Sequence, residues 1–187
     1  MHRRSLIGAA MVLPWAARAQ NADAQAKIRT GGVVVAFRHA LAPGTFDPPE
    51  FRLGDCTTQR NLNDVGRAQA QRLGQWFRQQ GLSPAAVRSS PWCRCMDTAT
   101  LAFDQAQAWP ALGSPRGTSP EAYADNLKTL RQALADVAAR PGRFEVWVTH
   151  MFVLSDLVGG GVSSGDGLVL AAGVDGQPQL LARLAGL

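Results

Sequence analysis

The chain has 187 residues, a length that suits one compact domain with a sizeable core. Apolar residues make up 46% of it, too large a fraction for a disordered chain. The formal net charge is +5, but Arg3, Arg4 and Arg18 lie at the very start, and without them 16 basic residues face 14 acidic ones. An excess of two charges does not favour nucleic-acid binding, so we expect no nucleic-acid partner.

The N-terminus has the three regions of a targeting signal. Arg3-Arg4 precedes a short apolar run, Ser5 to Ala17, and Ala17-Arg18-Ala19 fits the small-x-small cleavage pattern. We therefore expect a signal peptide over residues 1–19 and a single domain over residues 20–187. The arginine pair also resembles a twin-arginine export signal, and the choice between that route and the general secretory route stays open.

The apolar run is too short to span a bilayer comfortably, and no later segment of the sequence is long and apolar enough to do so. The sequence thus predicts a periplasmic or secreted protein with no stable membrane insertion after signal cleavage. It does not predict the oligomeric state.

Hydrophobic periodicity predicts strands and helices in alternation. Strands are expected over residues 33–37, 85–87, 144–148, 167–172 and 179–184, and helices over 64–80, 91–105, 120–139 and 152–157. The polar stretch 20–30 is expected to be a loose lead-in. This order predicts an α/β fold, specifically a three-layer α/β/α sandwich whose mostly parallel central sheet has an antiparallel edge. Two long loops, 42–54 and 109–119, are expected to determine the substrate.

Both histidines of the expected mature chain directly follow an apolar strand. His39 follows the strand over 33–37, and His150 follows the strand over 144–148 with one threonine between. In an open α/β sheet, ligands bind beyond the carboxyl ends of the strands, so both imidazoles are expected at one site if the two strands are parallel neighbours.

Arginines accompany the histidines. Arg38 precedes His39, and Arg88 and Arg94 flank a predicted strand-to-helix junction. Guanidinium groups match phosphate oxygens in a bidentate way and repel metal ions, and the sequence offers no clear third metal ligand. We therefore expect no metal and no cofactor. A neutral imidazole in this setting can attack phosphorus while the arginines stabilise the phosphoryl oxygens.

Three cysteines in an exported chain leave at least one thiol unpaired within the molecule. One hypothesis is a disulfide between Cys56 and Cys93. It would connect the loop before the first predicted helix of the domain to the loop that carries Arg94.

Four segments in order resemble the histidine phosphatase (phosphoglycerate mutase-like) superfamily. They are Arg38-His39, the stretch Cys56–Leu62 continued by Gly66–Ala70, the stretch Ser89–Arg94 continued by Asp97-Thr98-Ala99, and Val148–His150. The resemblance implies that His39 is the phosphorylated nucleophile and that Arg38, Arg94 and His150 complete the phosphate pocket. Arg60 contacts the substrate or forms a surface salt bridge; the sequence does not choose between these roles.

Two features depart from the family pattern. Met151 stands where the family often has glycine, and its bulk can narrow the pocket. The family's proton donor is commonly a carboxylate between the second arginine and the second histidine, a region that contains Glu121. We expect Glu121 to be the catalytic proton donor, ahead of its rival Asp166. The alternatives are a capping role for Glu121 in the first turn of its helix and an ordinary turn position for Asp166.

The resemblance implies a histidine acid-type phosphatase, that is, a phosphoric monoester hydrolase, that acts through a phosphohistidine intermediate. Its expected partner is a small phosphorylated substrate or an envelope phospho-sugar. The alternative is a catalytically degenerate protein of the same fold that binds phosphate or a phospho-ligand. A mutase acting on sugar acids is less consistent with export.

Overall fold

The structure is a computed structural model that describes residues 13–187. Most of the predicted signal peptide, residues 1–12, lies outside the described residues. The helices are α1 (Leu13–Thr30), α2 (Asp64–Gln79), α3 (Cys93–Phe103), α4 (Pro120–Ala138) and α5 (Met151–Val158). The strands are β1 (Val33–Arg38), β2 (Ala86–Ser89), β3 (Gln107–Ala108), β4 (Phe144–Thr149), β5 (Gly167–Ala172) and β6 (Pro178–Leu184). None of the helices in the described part of the chain is long and apolar enough to cross a membrane.

All six strands form one sheet in the order β3-β2-β4-β1-β5-β6. The first four strands of that order pair in parallel, whereas β5 runs antiparallel to β1, and β6 runs antiparallel to β5. One face of the sheet packs against α1, α2 and α3, and the other packs against α4 and α5. The predicted α/β/α sandwich, with a mostly parallel sheet and an antiparallel edge, is confirmed.

The central strand β1 is buried on both faces, as its unbroken apolar sequence predicts. Val35 and Phe37 contribute to the core beneath α1, α2 and α3, whereas Val34 and Ala36 contribute to the core beneath α4 and α5. β1 pairs in parallel with β4, and the register places Arg38 beside Thr149. The residues that follow the two strands therefore leave the sheet at the same edge.

Helix α1 corrects one expectation from the sequence, because residues 20–30 are helical rather than a loose lead-in. Ala24 and Ile28 are four residues apart, and both are buried in the core. These two side chains are sufficient to dock one face of a helix that is otherwise polar, which explains why hydrophobic periodicity did not reveal it. α1 also runs across the predicted cleavage point at residue 19, and both buried side chains follow that point.

Replacing Ile28 by alanine tests the docking of α1. Ile28 is 1% exposed, so the truncation removes buried methylene groups, and we expect the free energy of unfolding to fall by about 2–5 kcal/mol. The measurement is urea unfolding monitored by circular dichroism. Lys27→Ala, at the exposed neighbouring position, is the matched control and should change the free energy by less than about 0.5 kcal/mol. Equal midpoints for the two variants would contradict the docking of α1.

Candidate active site

A cavity of about 190 Å³ lies at the carboxyl ends of β1 and β4. It is lined by Arg38, His39, Gly44, Thr45, Phe46, Asp47, Arg60, Arg94, Ser114, Arg116, His150, Met151 and Phe152. The structure therefore brings both histidines and three predicted arginines to one place. The centroids of the two imidazole rings are 5.7 Å apart.

His39 is held as a neutral imidazole. It is 3% exposed, and its Nδ1 lies 2.8 Å from the carbonyl oxygen of Ala40. A carbonyl only accepts hydrogen bonds, so Nδ1 carries the proton and Nε2 keeps a lone pair. Burial, together with the positive charges of Arg94 and Arg38, lowers the pKa of His39 to about 3, although the hydrogen bond to Ala40 opposes this shift. At neutral pH the ring is an uncharged nucleophile.

Arg94 is fixed by an ion pair inside the site. The guanidinium is 4% exposed, and its Nη1 donates to Oδ1 of Asp47 over 2.7 Å. The same carboxylate oxygen accepts the backbone N–H of Arg60 over 3.0 Å. Asp47 thus connects the loop after β1 to the first turn of α3, which carries Arg94.

His150 is buried, and both of its ring nitrogens have partners. Arg94 Nη2 lies 3.4 Å from Nδ1, and because a guanidinium only donates, Nδ1 is the acceptor. Nε2 then carries the proton and donates it to Oγ of Ser90 over 2.8 Å. Burial first, and then the charge of Arg94, lowers the pKa of His150 well below its usual value. A second neutral imidazole therefore faces the first.

The remaining arginines make the cavity strongly electropositive. Arg38 Nη1 donates to the carbonyl of Val162 over 2.9 Å, and Arg60 donates to the carbonyl of Ala42. Burial and the nearby charge of Arg94 lower the pKa of both guanidinium groups. The Nε groups of Arg38, Arg60 and Arg94 are buried without an acceptor among residues 13–187. Phosphate oxygens are acceptors of the type that such charged donors bind.

The comparison with known proteins agrees with this geometry. The family model of the histidine phosphatase superfamily (branch 1) matches residues 54–114, about a third of the chain. That stretch includes Arg60 and Arg94, and the fold brings them beside His39 and His150. The predicted resemblance to the histidine phosphatase superfamily is confirmed. The family match and the shared fold support phosphatase activity through a histidine. No curated protein sequence matches the chain.

Solved structures of phosphatases share the histidine phosphatase fold with this chain. The putative phosphohistidine phosphatase SixA from Agrobacterium tumefaciens is 21% identical, with a TM-score of 0.55, covering 83% of this chain and 99% of that one. A phosphoserine phosphatase from Entamoeba histolytica, in complex with 3-phosphoglyceric acid, is 15% identical, with a TM-score of 0.59, covering 82% and 97%. A SixA complexed with tungstate is 17% identical, with a TM-score of 0.53, covering 82% and 96%. At these identities the likeness establishes the fold alone.

Neither of the two predicted proton donors is among the residues that line this cavity. Glu121 is exposed in the first turn of α4, where hydrogen bonds from its own backbone amide and from Ser119 lower its pKa. Its position is that of a helix-capping acid, and its role as the proton donor stays a prediction. Asp166 accepts the N–H of Gly186 over 3.3 Å, and burial raises its pKa.

Seven of the thirteen lining residues were missed by the sequence reasoning, and three of these matter most for the charge and shape of the cavity. Asp47 and Phe46 lie in the loop 42–54, and Arg116 lies in the loop 109–119. The guanidinium carbon of Arg116 sits 3.7 Å from the centre of the Phe46 ring, so the two long loops meet over the cavity. The sequence identified both loops as functional, but it contained no motif that singled out these side chains.

The predicted disulfide between Cys56 and Cys93 is present, with 5.7 Å between the two Cα atoms. It joins the segment before α2 to the residue that precedes Arg94. Cys95 is free and buried, and burial raises the pKa of its thiol to about 12.

Met151, which stands where the family often has glycine, lines the cavity. Its sulfur lies 3.9 Å from Nη1 of Arg38.

The tautomer and charge of His39 can be measured directly. Because its pKa is lowered to about 3 from an ordinary value near 6.5, we expect the ring to stay neutral between pH 5 and 8, with the proton on Nδ1. Long-range ¹H–¹⁵N NMR of the ¹⁵N-labelled protein measures both the charge and the tautomer of the ring. The signals of His39 are those missing from the spectrum of the His39→Ala variant.

The same shift makes the contribution of His39 to stability pH-dependent. In the unfolded chain His39 binds a proton below about pH 6.5, whereas in the folded protein it does so only below about pH 3. The free energy of unfolding therefore decreases as the pH falls from about 6.5 to about 3. A His39 titration centred near pH 6.5 in the folded protein would contradict the assignment.

Proposed function

We propose that this chain is an exported phosphatase that hydrolyses phosphomonoesters through a phosphohistidine intermediate on His39. One observation carries the proposal: a neutral imidazole, with the lone pair of Nε2 available, lies in a buried cavity lined by arginines. Among the residue types in this cavity, that imidazole is the nucleophile suited to attack phosphorus without metal assistance.

The first step transfers the phosphoryl group to the protein. Nε2 of His39 attacks phosphorus in line, the bond to the ester oxygen breaks, and the electron pair leaves with that oxygen, which takes a proton from solvent to give the alcohol. The ring becomes a phosphorylated imidazolium, whose Nδ1–H still donates to the carbonyl of Ala40. The backbone N–H of Ala40 donates to Oγ1 of Thr98 over 3.0 Å, which fixes Ala40 in place. The carbonyl of Ala40 is therefore already positioned to stabilise the positive charge that forms on the ring.

The second step regenerates the imidazole. Water attacks the phosphorus, the N–P bond breaks, and the electron pair returns to Nε2. The water oxygen and both of its protons leave as part of dihydrogen phosphate, so the ring is neutral again. Arg38 and Arg94 stabilise the phosphoryl oxygens in both steps, and Arg60 lies close enough to the cavity to contribute.

The proposed location outside the cytoplasm rests on the N-terminal sequence, where the three regions of a signal occur in order. The proposed substrate class is a small phosphorylated compound, of which an envelope phospho-sugar is one member. The cavity volume of about 190 Å³ is below the roughly 300–1,000 Å³ of pockets for drug-sized ligands, which favours recognition of a small head group.

A second candidate is a protein of the same fold that binds phosphate without turnover. The ion pair between Asp47 and Arg94 favours it, because the one carboxylate lining the cavity within residues 13–187 is engaged as an acceptor. Repeated turnover separates the two candidates, since a binding protein takes up phosphate or vanadate but shows no steady-state release.

Hydrolysis of an aryl phosphate in the presence of EDTA tests the proposal. We expect steady release of phosphate by the wild type and a loss of at least about a thousandfold in kcat for His39→Ala, because the nucleophile is gone. Arg94→Lys should lower kcat/KM by about a hundredfold, since it removes a fork of donors to the phosphoryl oxygens.

The matched control is Arg140→Lys, which changes an exposed arginine that does not line the cavity and should have no effect. Circular dichroism verifies that each variant folds. Turnover by folded His39→Ala at the wild-type rate would refute the assignment.

A further inference from the structure

The charges around the cavity exceed what one phosphate group balances. Four guanidinium groups line it, those of Arg38, Arg60, Arg94 and Arg116, against a single carboxylate, Asp47. The two imidazoles are neutral, so the lining itself carries three positive charges in excess, part of which the nearby carboxylate of Asp166 offsets at Arg38. A phosphate monoester carries about −1.5 to −2 at neutral pH. The surplus favours a substrate with a further anionic group.

The positive charges lie at two depths. Arg94 is 4% exposed and contacts His150, so it belongs to the buried floor beside the nucleophile. Arg116 is exposed, comes from the loop before α4, and lies over the ring of Phe46 at the rim. The floor therefore suits the reacting phosphoryl group, and the rim suits an anionic group one step further along the substrate.

The carboxylate in the cavity is placed as an acceptor rather than as an acid. Asp47 Oδ1 receives both the guanidinium of Arg94 and the backbone N–H of Arg60. An alkoxide leaving group needs a proton in the transition state, and a positioned acid contributes about 10²–10⁴ in rate. A phosphate leaving group does not need one, because its second pKa lies near 6. The arrangement thus favours a bond whose leaving group is itself a phosphate.

We propose that the preferred substrate is an organic diphosphate, whose terminal phosphoryl group is transferred to His39 and whose leaving phosphate is held by Arg116. This inference rests on the proposed function. The bond from Nε2 to the terminal phosphorus forms as the bridging P–O bond breaks, and the electron pair stays on the bridging oxygen of the leaving monophosphate. Water then releases dihydrogen phosphate from the imidazole, as in the proposed hydrolysis of monoesters.

Two exposed aromatic residues at the rim of the cavity indicate the chemistry of the organic group that the diphosphate carries. Phe46 is 53% exposed and Phe152 is 39% exposed, and both line the cavity. Because the cavity has a volume of only about 190 Å³, the organic part of the substrate lies outside it, against these rings. An apolar or aromatic group fits there, which is a chemistry shared by nucleoside and isoprenoid diphosphates.

The test compares each diphosphate with its own monophosphate. Phosphate release by the full chain is measured for adenosine diphosphate and monophosphate, and for farnesyl diphosphate and monophosphate, beside an aryl phosphate. For at least one pair, we expect kcat/KM for the diphosphate to exceed that for the monophosphate by at least about a hundredfold. The pair that shows the larger preference identifies the source of the diphosphate.

Arg116 supplies the matched variants. Arg116→Ala should lower the diphosphate-to-monophosphate ratio of kcat/KM at least about tenfold, Arg116→Lys should restore part of it, and the exposed Arg140→Ala should leave it unchanged. Equal efficiency on the two members of both pairs would overturn the inference, and so would a ratio that does not respond to Arg116→Ala.

The two proposals fail in different ways. Turnover of the aryl phosphate that depends on His39, without a preference for either diphosphate, overturns this inference and leaves the phosphatase proposal standing. No turnover of any of the five compounds overturns both.

Discussion

The parallel pairing of β1 with β4 is the interaction on which the site depends. The register continues one step beyond the strands, where the backbone N–H of His39 donates to the carbonyl of Thr149 over 2.9 Å. This hydrogen bond places His39 next to the residue that precedes His150, although the two histidines are 111 positions apart in the numbering. Both imidazoles then leave the sheet at its carboxyl edge, where a ligand can reach them.

The charges at this edge of the sheet determine the protonation state of both histidines and the ligand that they can bind. Burial lowers the pKa of both histidines, and the positive charges of Arg94, Arg38 and Arg60 act in the same direction, so both rings are neutral. A neutral ring is the nucleophilic form, and the charges that keep it neutral also bind the anion it attacks. Asp47 offsets part of the repulsion among the arginines and fixes Arg94 in place. The disulfide between Cys56 and Cys93 holds the segment next to this ion pair.

The sequence was sufficient for the features that depend on hydrophobic pattern and chain order. The mainly apolar segments predicted β1 and β4, and their order with the intervening helices predicted a parallel sheet, from which the convergence of His39 and His150 follows. Helix α1 escaped prediction because only Ala24 and Ile28 bury its face after residue 19. Asp47 and Arg116 also escaped, because they act from loops whose paths depend on tertiary contacts rather than on local periodicity.

The proton donor shows the limit of reasoning from a motif region. Glu121 lies between the second arginine and the second histidine, where the family commonly has its proton donor, and the start of α4 places its carboxylate at the surface in the position of a helix-capping acid. The carboxylate that does line the cavity, Asp47, comes from the loop that follows β1 and is ion-paired. Position in the sequence therefore identified residues that share one cavity but not the complete set of charges that line it.

A crystal structure of the protein soaked with orthovanadate would show whether His39 is the nucleophile, because vanadate adopts the geometry of a phosphoryl group under attack. We predict vanadium bonded to Nε2 of His39, with its oxygens on the guanidinium groups of Arg38 and Arg94 and with Nδ1 still hydrogen-bonded to the carbonyl of Ala40. Vanadate bound away from His39, or a His39 ring turned so that Nε2 does not face the anion, would contradict it.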